Sequence, residues 1–155
     1  MVVDYLKDRF INGLLTGLIA GIVINILNFT AYYLRWSDLR YLDWAGILVF
    51  GTKPVLLHEE LFALVVQLAF SAFVGVLFAY FYFKFTSRYY LLKGSFFGVI
   101  LWFFMYASGI ALKLPHLTII SFSTAASNFL NAVVFGLVAA ETLRRLDKTP
   151  LSDSQ

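Results

Sequence analysis

The chain has 155 residues, of which 61% are hydrophobic, 19% aromatic and 14% charged. A soluble domain is about 45–50% apolar and about 25% charged, so this composition leans towards lipid. The absence of cysteine excludes a disulfide framework, a thiolate metal site and a cysteine nucleophile. The net charge of +3 is spread without a basic stripe, which argues against nucleic acid as a partner.

Four stretches lack Asp, Glu, Lys and Arg: residues 10–34, 61–83, 94–112 and 114–140. Each is long enough for the ~20 apolar residues that cross a hydrocarbon core. None shows the broad polar face of a soluble surface helix. The expected fold is an all-α integral membrane four-helix bundle, with spans at about 11–34, 61–83, 94–112 and 119–143. These form one transmembrane domain over residues 1–148, followed by a polar tail over 149–155. The first run far exceeds the 7–15 residues of a signal-peptide core and is expected to stay as a helix.

Orientation is read from the basic residues of the loops. One side carries Lys7, Arg9, Lys84, Arg88, Lys93, Arg144, Arg145 and Lys148; the other has Arg35, Arg40, Lys53 and Lys113. Both termini are therefore expected in the cytoplasm. The long first loop has an apolar patch at 43–52 that is too short to cross. It is expected to lie at the outer interface, with Trp36, Tyr41 and Trp44 at headgroup level.

Small residues recur along the spans. Gly13, Gly17 and Gly21 make one stripe on span one, continued by Asn25 and, a turn further, Asn28. Such a stripe lets a neighbouring backbone approach, either within the chain or from another copy or partner. Span two has Glu60, Gln67, Ser71 and Gly75, and span three Gly94, Gly98, Trp102 and Tyr106. Span four has Thr124, Ser127, Asn128 and Asn131. Gly13-x-x-x-Gly17 and Gly94-x-x-x-Gly98 open the first and third spans alike. Ser71-Ala-Phe-Val and Asn131-Ala-Val-Val align in the second and fourth. Two repeated helical hairpins related by an axis along the membrane normal would give this pattern.

The amides and hydroxyls fall at similar depth. Asn25, Asn28, Glu60, Gln67, Ser71, Tyr106, Asn128 and Asn131 are the candidate polar pocket, opening outward to a polar solute or a lipid headgroup. The competing reading is interhelical hydrogen bonding alone, at about 0.6 kcal/mol per contact. His58-Glu59-Glu60 cannot face one ion, because consecutive helical residues diverge by about 100°. No metal or other cofactor is expected. No charge sits at mid-membrane, unlike most ion-coupled transporters. Nor is there a Gly-x-Ser-x-Gly elbow or paired intramembrane Asp, so an enzyme is not expected.

The Gly13/Gly17/Gly21 run ending in Asn28-Phe29, the Trp-bearing loop, the Gly94/Gly98/Trp102 span and Phe135-Gly136 resemble the YqhR-type four-helix membrane proteins of endospore-forming bacteria. That resemblance covers most of the chain. It implies a bacterial cytoplasmic membrane and assigns no site. The leading expectation is a non-enzymatic packing and assembly module. Its partners would be membrane lipids and either a second copy or another membrane protein. A small transporter or binder using the amide pocket is the alternative.

Overall fold

The structure is a computed structural model that describes residues 2–82 and 89–147, with side chains from 9–81 and 89–147. Lys84, Arg88, Lys148, the side chain of Lys7 and the tail at 149–155 lie outside the described residues. Within them the chain forms five helices and no strand: α1 (Val2–Tyr33), α2 (Tyr41–Phe50), α3 (Leu57–Tyr82), α4 (Tyr90–Ala111) and α5 (Phe122–Leu146). Four carry windows long and apolar enough to cross a membrane: Arg9–Tyr33, Leu57–Phe81, Tyr90–Ala111 and Phe122–Leu146. The protein is thus an all-α membrane-type helical bundle. The second span begins about a turn earlier than its charge-free stretch, because Glu59 accepts hydrogen bonds from the Val55 and Leu56 amides (3.0 and 3.1 Å) and starts the helix. A carboxylate there satisfies orphan amides and opposes the helix dipole favourably.

Glycines set the helix pairs. α1 and α3 run antiparallel, with Gly13 and Gly17 against Gly75 and its neighbours. A Cβ on Gly17 would overlap the Ser71 carbonyl oxygen, and one on Gly75 would overlap that of Gly13. α4 and α5 repeat the device. A Cβ on Gly94 would meet the Gly136 carbonyl, and one on Gly98 the Ala132 carbonyl. Gly21 sits against the Ser71 side chain. Without a hydrophobic drive in lipid, such close backbone packing is what holds helices together.

The pairs join through α1 and α5, also antiparallel, with Asn28 beside Asn128 at one end and Asn12 bonded to Asp147 (3.2 Å) at the other. The helices therefore follow the lateral order α3, α1, α5, α4. Ala20, Ile24, Val74, Phe78, Phe135 and Ala139 are buried where they meet. α3 and α4, at the two ends of this curved layer, barely approach each other. Their main bridge is the ring pair Phe78–Phe97, with centroids 5.0 Å apart.

α1 and α4 end the same way. Arg35 (φ 60°) and Lys113 (φ 50°) take the left-handed conformation. The next amides reach back five residues, Trp36 to Ala31 (2.9 Å) and Leu114 to Gly109 (3.1 Å). This is the Schellman stop, usually made by glycine. Here a basic residue makes it, next to the negative end of the helix dipole.

The apolar segment of the first loop forms α2, which packs into the bundle through its first two turns and leaves Leu48, Val49 and Phe50 exposed. Leu42 through Ile47 are buried. Leu42 and Ala45 pack with Ala63 of α3, while Trp44 and Ile47 pack with Leu117 and with Met105 and Tyr106 of α4. α2 thus bridges α3 and α4 at one end of their gap. Trp44 is 5% exposed, whereas Trp36 is 68% exposed and remains at the rim. A helix apolar almost all round is stable only when buried, and α2 has little polar surface besides Asp43. Its end is fixed by Gly51 in the left-handed conformation, and Gly46 lets Pro54 lie against it.

Candidate functional site

The gap between α3 and α4 holds a cavity of about 210 Å³. Ile24 of α1 and Asn128, Ala132 and Phe135 of α5 form its back. Gln67, Phe70 and Ser71 line the α3 side, and Leu101, Trp102, Met105 and Tyr106 the α4 side. Tyr41, Trp44, Ala45 and Leu48 of α2 roof it. The Phe78–Phe97 ring pair lies one turn beyond Val74 and one turn before Leu101, so it closes the opposite end. The remaining side follows the gap, towards the apolar outer faces of α3 and α4. The walls are almost wholly apolar, and three of the rings stack in sequence. Trp44 and Tyr106 have centroids 5.1 Å apart, and Tyr106 and Trp102 are 4.9 Å apart.

The polar groups in this wall and just behind it form two hydrogen-bonded chains. In the first, Asn25 Nδ2 donates to the Gly21 carbonyl (2.8 Å) and to Gln67 Oε1 (2.6 Å), and Gln67 Nε2 donates to Ser71 Oγ (3.1 Å). In the second, Asn28 Nδ2 donates to Asn128 Oδ1 (3.2 Å), and Asn128 Nδ2 donates to the Tyr106 hydroxyl (3.0 Å). The Tyr41 amide donates to Asn28 Oδ1 (2.7 Å), so the second chain also fixes the first turn of α2. Buried amides in lipid require such partners. The first chain joins α1 to α3, and the second joins α1, α5 and α4.

Of the eight residues proposed for a polar pocket, Gln67, Ser71, Tyr106 and Asn128 line the cavity. Asn25 and Asn28 stand behind them, bonded to Gln67 and Asn128. Asn131 is buried on α5 one turn beyond Asn128 and does not line it. Glu60 is elsewhere, in an ion cluster at the start of α2. Arg40 Nη2 reaches Asp43 Oδ1 (2.9 Å) and Glu60 Oε1 (2.7 Å), and the guanidinium lies over the Tyr32 ring. Asp43 also accepts from the Arg40 amide (2.7 Å), which caps α2. Burial works against the Arg40 charge, but the bonds from Asp43 and Glu60 outweigh it and hold its pKa above the ordinary arginine value. The cluster pins α2 over the cavity.

Sequence reasoning missed the contribution of α2, and with it Tyr41, Trp44, Ala45 and Leu48. The available signal was the lack of a polar face in that segment, which favours packing against other helices. It also missed that the pocket is apolar. Amides were read as lining, whereas most of their hydrogen-bonding capacity is turned on one another.

The glycine residues named for packing are all used within the chain: Gly13, Gly17, Gly21 and Gly75 between α1 and α3, Gly94 and Gly98 between α4 and α5. Gly136, on α5, is an unanticipated member of the second set. No family model matches this chain, and neither a curated protein nor a solved structure matches it significantly.

Proposed function

We propose that the protein binds an apolar or amphiphilic molecule inside the membrane, taken up sideways from lipid through the gap between α3 and α4. The observation that carries this reading is the cavity itself, about 210 Å³ in size and roofed by a helix that spans the gap. An apolar cavity of about 150 Å³ stays dry and admits benzene, so this one has room for a ring or part of a chain. A longer molecule would extend from it into the surrounding lipid. Apolar walls with a few fixed polar groups at one side are the usual form of a small-molecule site. The glycine stripes support binding over assembly, since every stripe is filled by the chain's own helices. The loop charges support a location with both termini in the cytoplasm and α2 on the outer side. The resemblance to YqhR-type proteins supports a bacterial cytoplasmic membrane.

Native mass spectrometry of the detergent-released protein tests the reading. The wild type is expected to retain an apolar or amphiphilic molecule. Leu101→Trp, which fills the cavity, is expected to lose that mass while keeping its helicity and unfolding temperature. A wild type free of added mass, or equal retention by both proteins, contradicts the proposal. A stable oligomer without ligand would favour the assembly module.

A further inference from the structure

A second cavity, of about 180 Å³, lies at the α2 end of the bundle. It shares no lining residue with the first. Three connections and the start of α5 meet there: Asp38 from the α1–α2 link, Lys53 from the α2–α3 link, His116 from the α4–α5 link, and Ser121 and Thr124 from α5. Its surface is mainly polar, in contrast to the apolar cavity beneath.

The charged groups in it are not spent on one another. Asp38 uses one carboxylate oxygen, Oδ2, to accept from Ser121 Oγ and from Thr124 Oγ1 (3.2 Å). Its Oδ1 has no protein donor among the described residues. Lys53 Nζ makes one long contact, to the Asp38 backbone carbonyl (3.5 Å). No salt bridge among the described residues engages Asp38, Lys53 or His116. A lysine with spare donors, a histidine and an aspartate with a free carboxylate oxygen therefore line one space. Opposite charges that share a cavity without pairing complement a ligand that carries both signs. Ile119, 90% exposed, lines the same cavity, and Phe122, 87% exposed, follows three residues on. Large apolar side chains projecting beside a polar hollow suit the boundary between headgroups and acyl chains.

We infer that this cavity binds a zwitterion that joins a phosphate to an ammonium, as in the headgroup of an ethanolamine phospholipid. Lys53 and His116 meet the phosphate, Asp38 Oδ1 meets the ammonium, and Ile119 and Phe122 lie along the chains. The inference stands apart from the lateral cavity and survives if that reading fails.

The test uses the full chain in detergent with three probes: short-chain phosphatidylethanolamine, short-chain phosphatidylglycerol and free phosphoethanolamine. Binding is read by native mass spectrometry and by 31P line broadening. The ethanolamine lipid is expected to bind about three- to tenfold more tightly than the glycerol lipid, the range of one hydrogen bond to a charged group at a partly exposed site. Asp38→Asn is expected to erase that preference. Lys53→Gln is expected to weaken both lipids by a similar factor. Leu101→Trp is expected to change neither. Equal binding of the two lipids to the wild type, or an unchanged preference in Asp38→Asn together with unchanged affinity in Lys53→Gln, overturns the inference. Phosphoethanolamine binding with no lipid bound keeps the charge pairing and overturns the membrane source.

Discussion

Two seams of the bundle bring together helices that alternate in the same way, yet one is closed and the other open. α1 and α5 pack along their whole length, from Asn12 at one end to Asn28 at the other. α3 and α4 touch mainly through Phe78 and Phe97. If the α1–α3 and α4–α5 pairs were related by a twofold axis, the α3–α4 seam would be the counterpart of the α1–α5 seam. The pairs do look alike in their glycine contacts and in the helix stops at Arg35 and Lys113. What differs is α2, the segment with no counterpart in the second pair. It occupies the place where the second seam would close, and the cavity lies under it. The open seam is thus the one that an inserted helix crosses at one end.

The largest effects are expected where backbones touch. Gly17→Leu and Gly98→Leu each force a side chain into a neighbouring carbonyl, and both are expected to cost at least about 3 kcal/mol. Loss of the cooperative unfolding transition in mild detergent would show it. If either variant unfolds like the wild type, the two pairs are not held by glycine contacts. Next comes the pin that holds α2. Asp43→Asn leaves Arg40 largely buried with Glu60 as its sole ion partner, at a cost of about 3 kcal/mol for breaking a buried pair. Proteolysis in the 41–50 segment is expected to accelerate while the four long helices persist.

The hydrogen-bonded chains should differ as well. Asn128→Leu removes the acceptor of Asn28 Nδ2 and the donor to the Tyr106 hydroxyl and is expected to destabilise by about 1–2 kcal/mol. Gln67→Leu breaks two bonds of the first chain and is expected to cost about 1 kcal/mol, at about 0.6 kcal/mol for each such bond in membranes. Equal costs in a denaturation series would show that α2 adds nothing to the second chain. The smallest effect is a gain. Arg35→Gly and Lys113→Gly relieve the left-handed strain and are expected to stabilise by up to about 1 kcal/mol each. Similar gains at the two positions would support equivalent helix stops in the two pairs.

The four spans were legible because a crossing helix must be apolar over its full length, and the charge-free stretches mark that directly. The glycine contacts were legible as stripes, but not their partners. Nothing in the spacing of Gly13 and Gly17 says whether Gly75 or another chain will meet them. The polar residues were found by type, and four of them do line the cavity. Their role was hidden because an amide that faces a pocket and one that faces another amide have the same spacing. Only the side-chain geometry of Asn28, Asn128 and Tyr106 separates the two. α2 was the least legible element. Ten residues are too few to cross and too few for periodicity to reveal a face. Its burial depends on the width of a gap set by helices far away in sequence.

The open seam is tested most directly in the membrane itself. The chain has no cysteine, so a single cysteine at Leu101 can carry a benzophenone without competing sites. After illumination in native membranes, mass spectrometry reads what has been captured. An open seam gives adducts with lipid-soluble small molecules, and the same label at Ala139, fully buried in the core, gives crosslinks within the chain. Crosslinks from Leu101 to α3 alone would show that α3 and α4 close on each other in the membrane, and would contradict the lateral cavity.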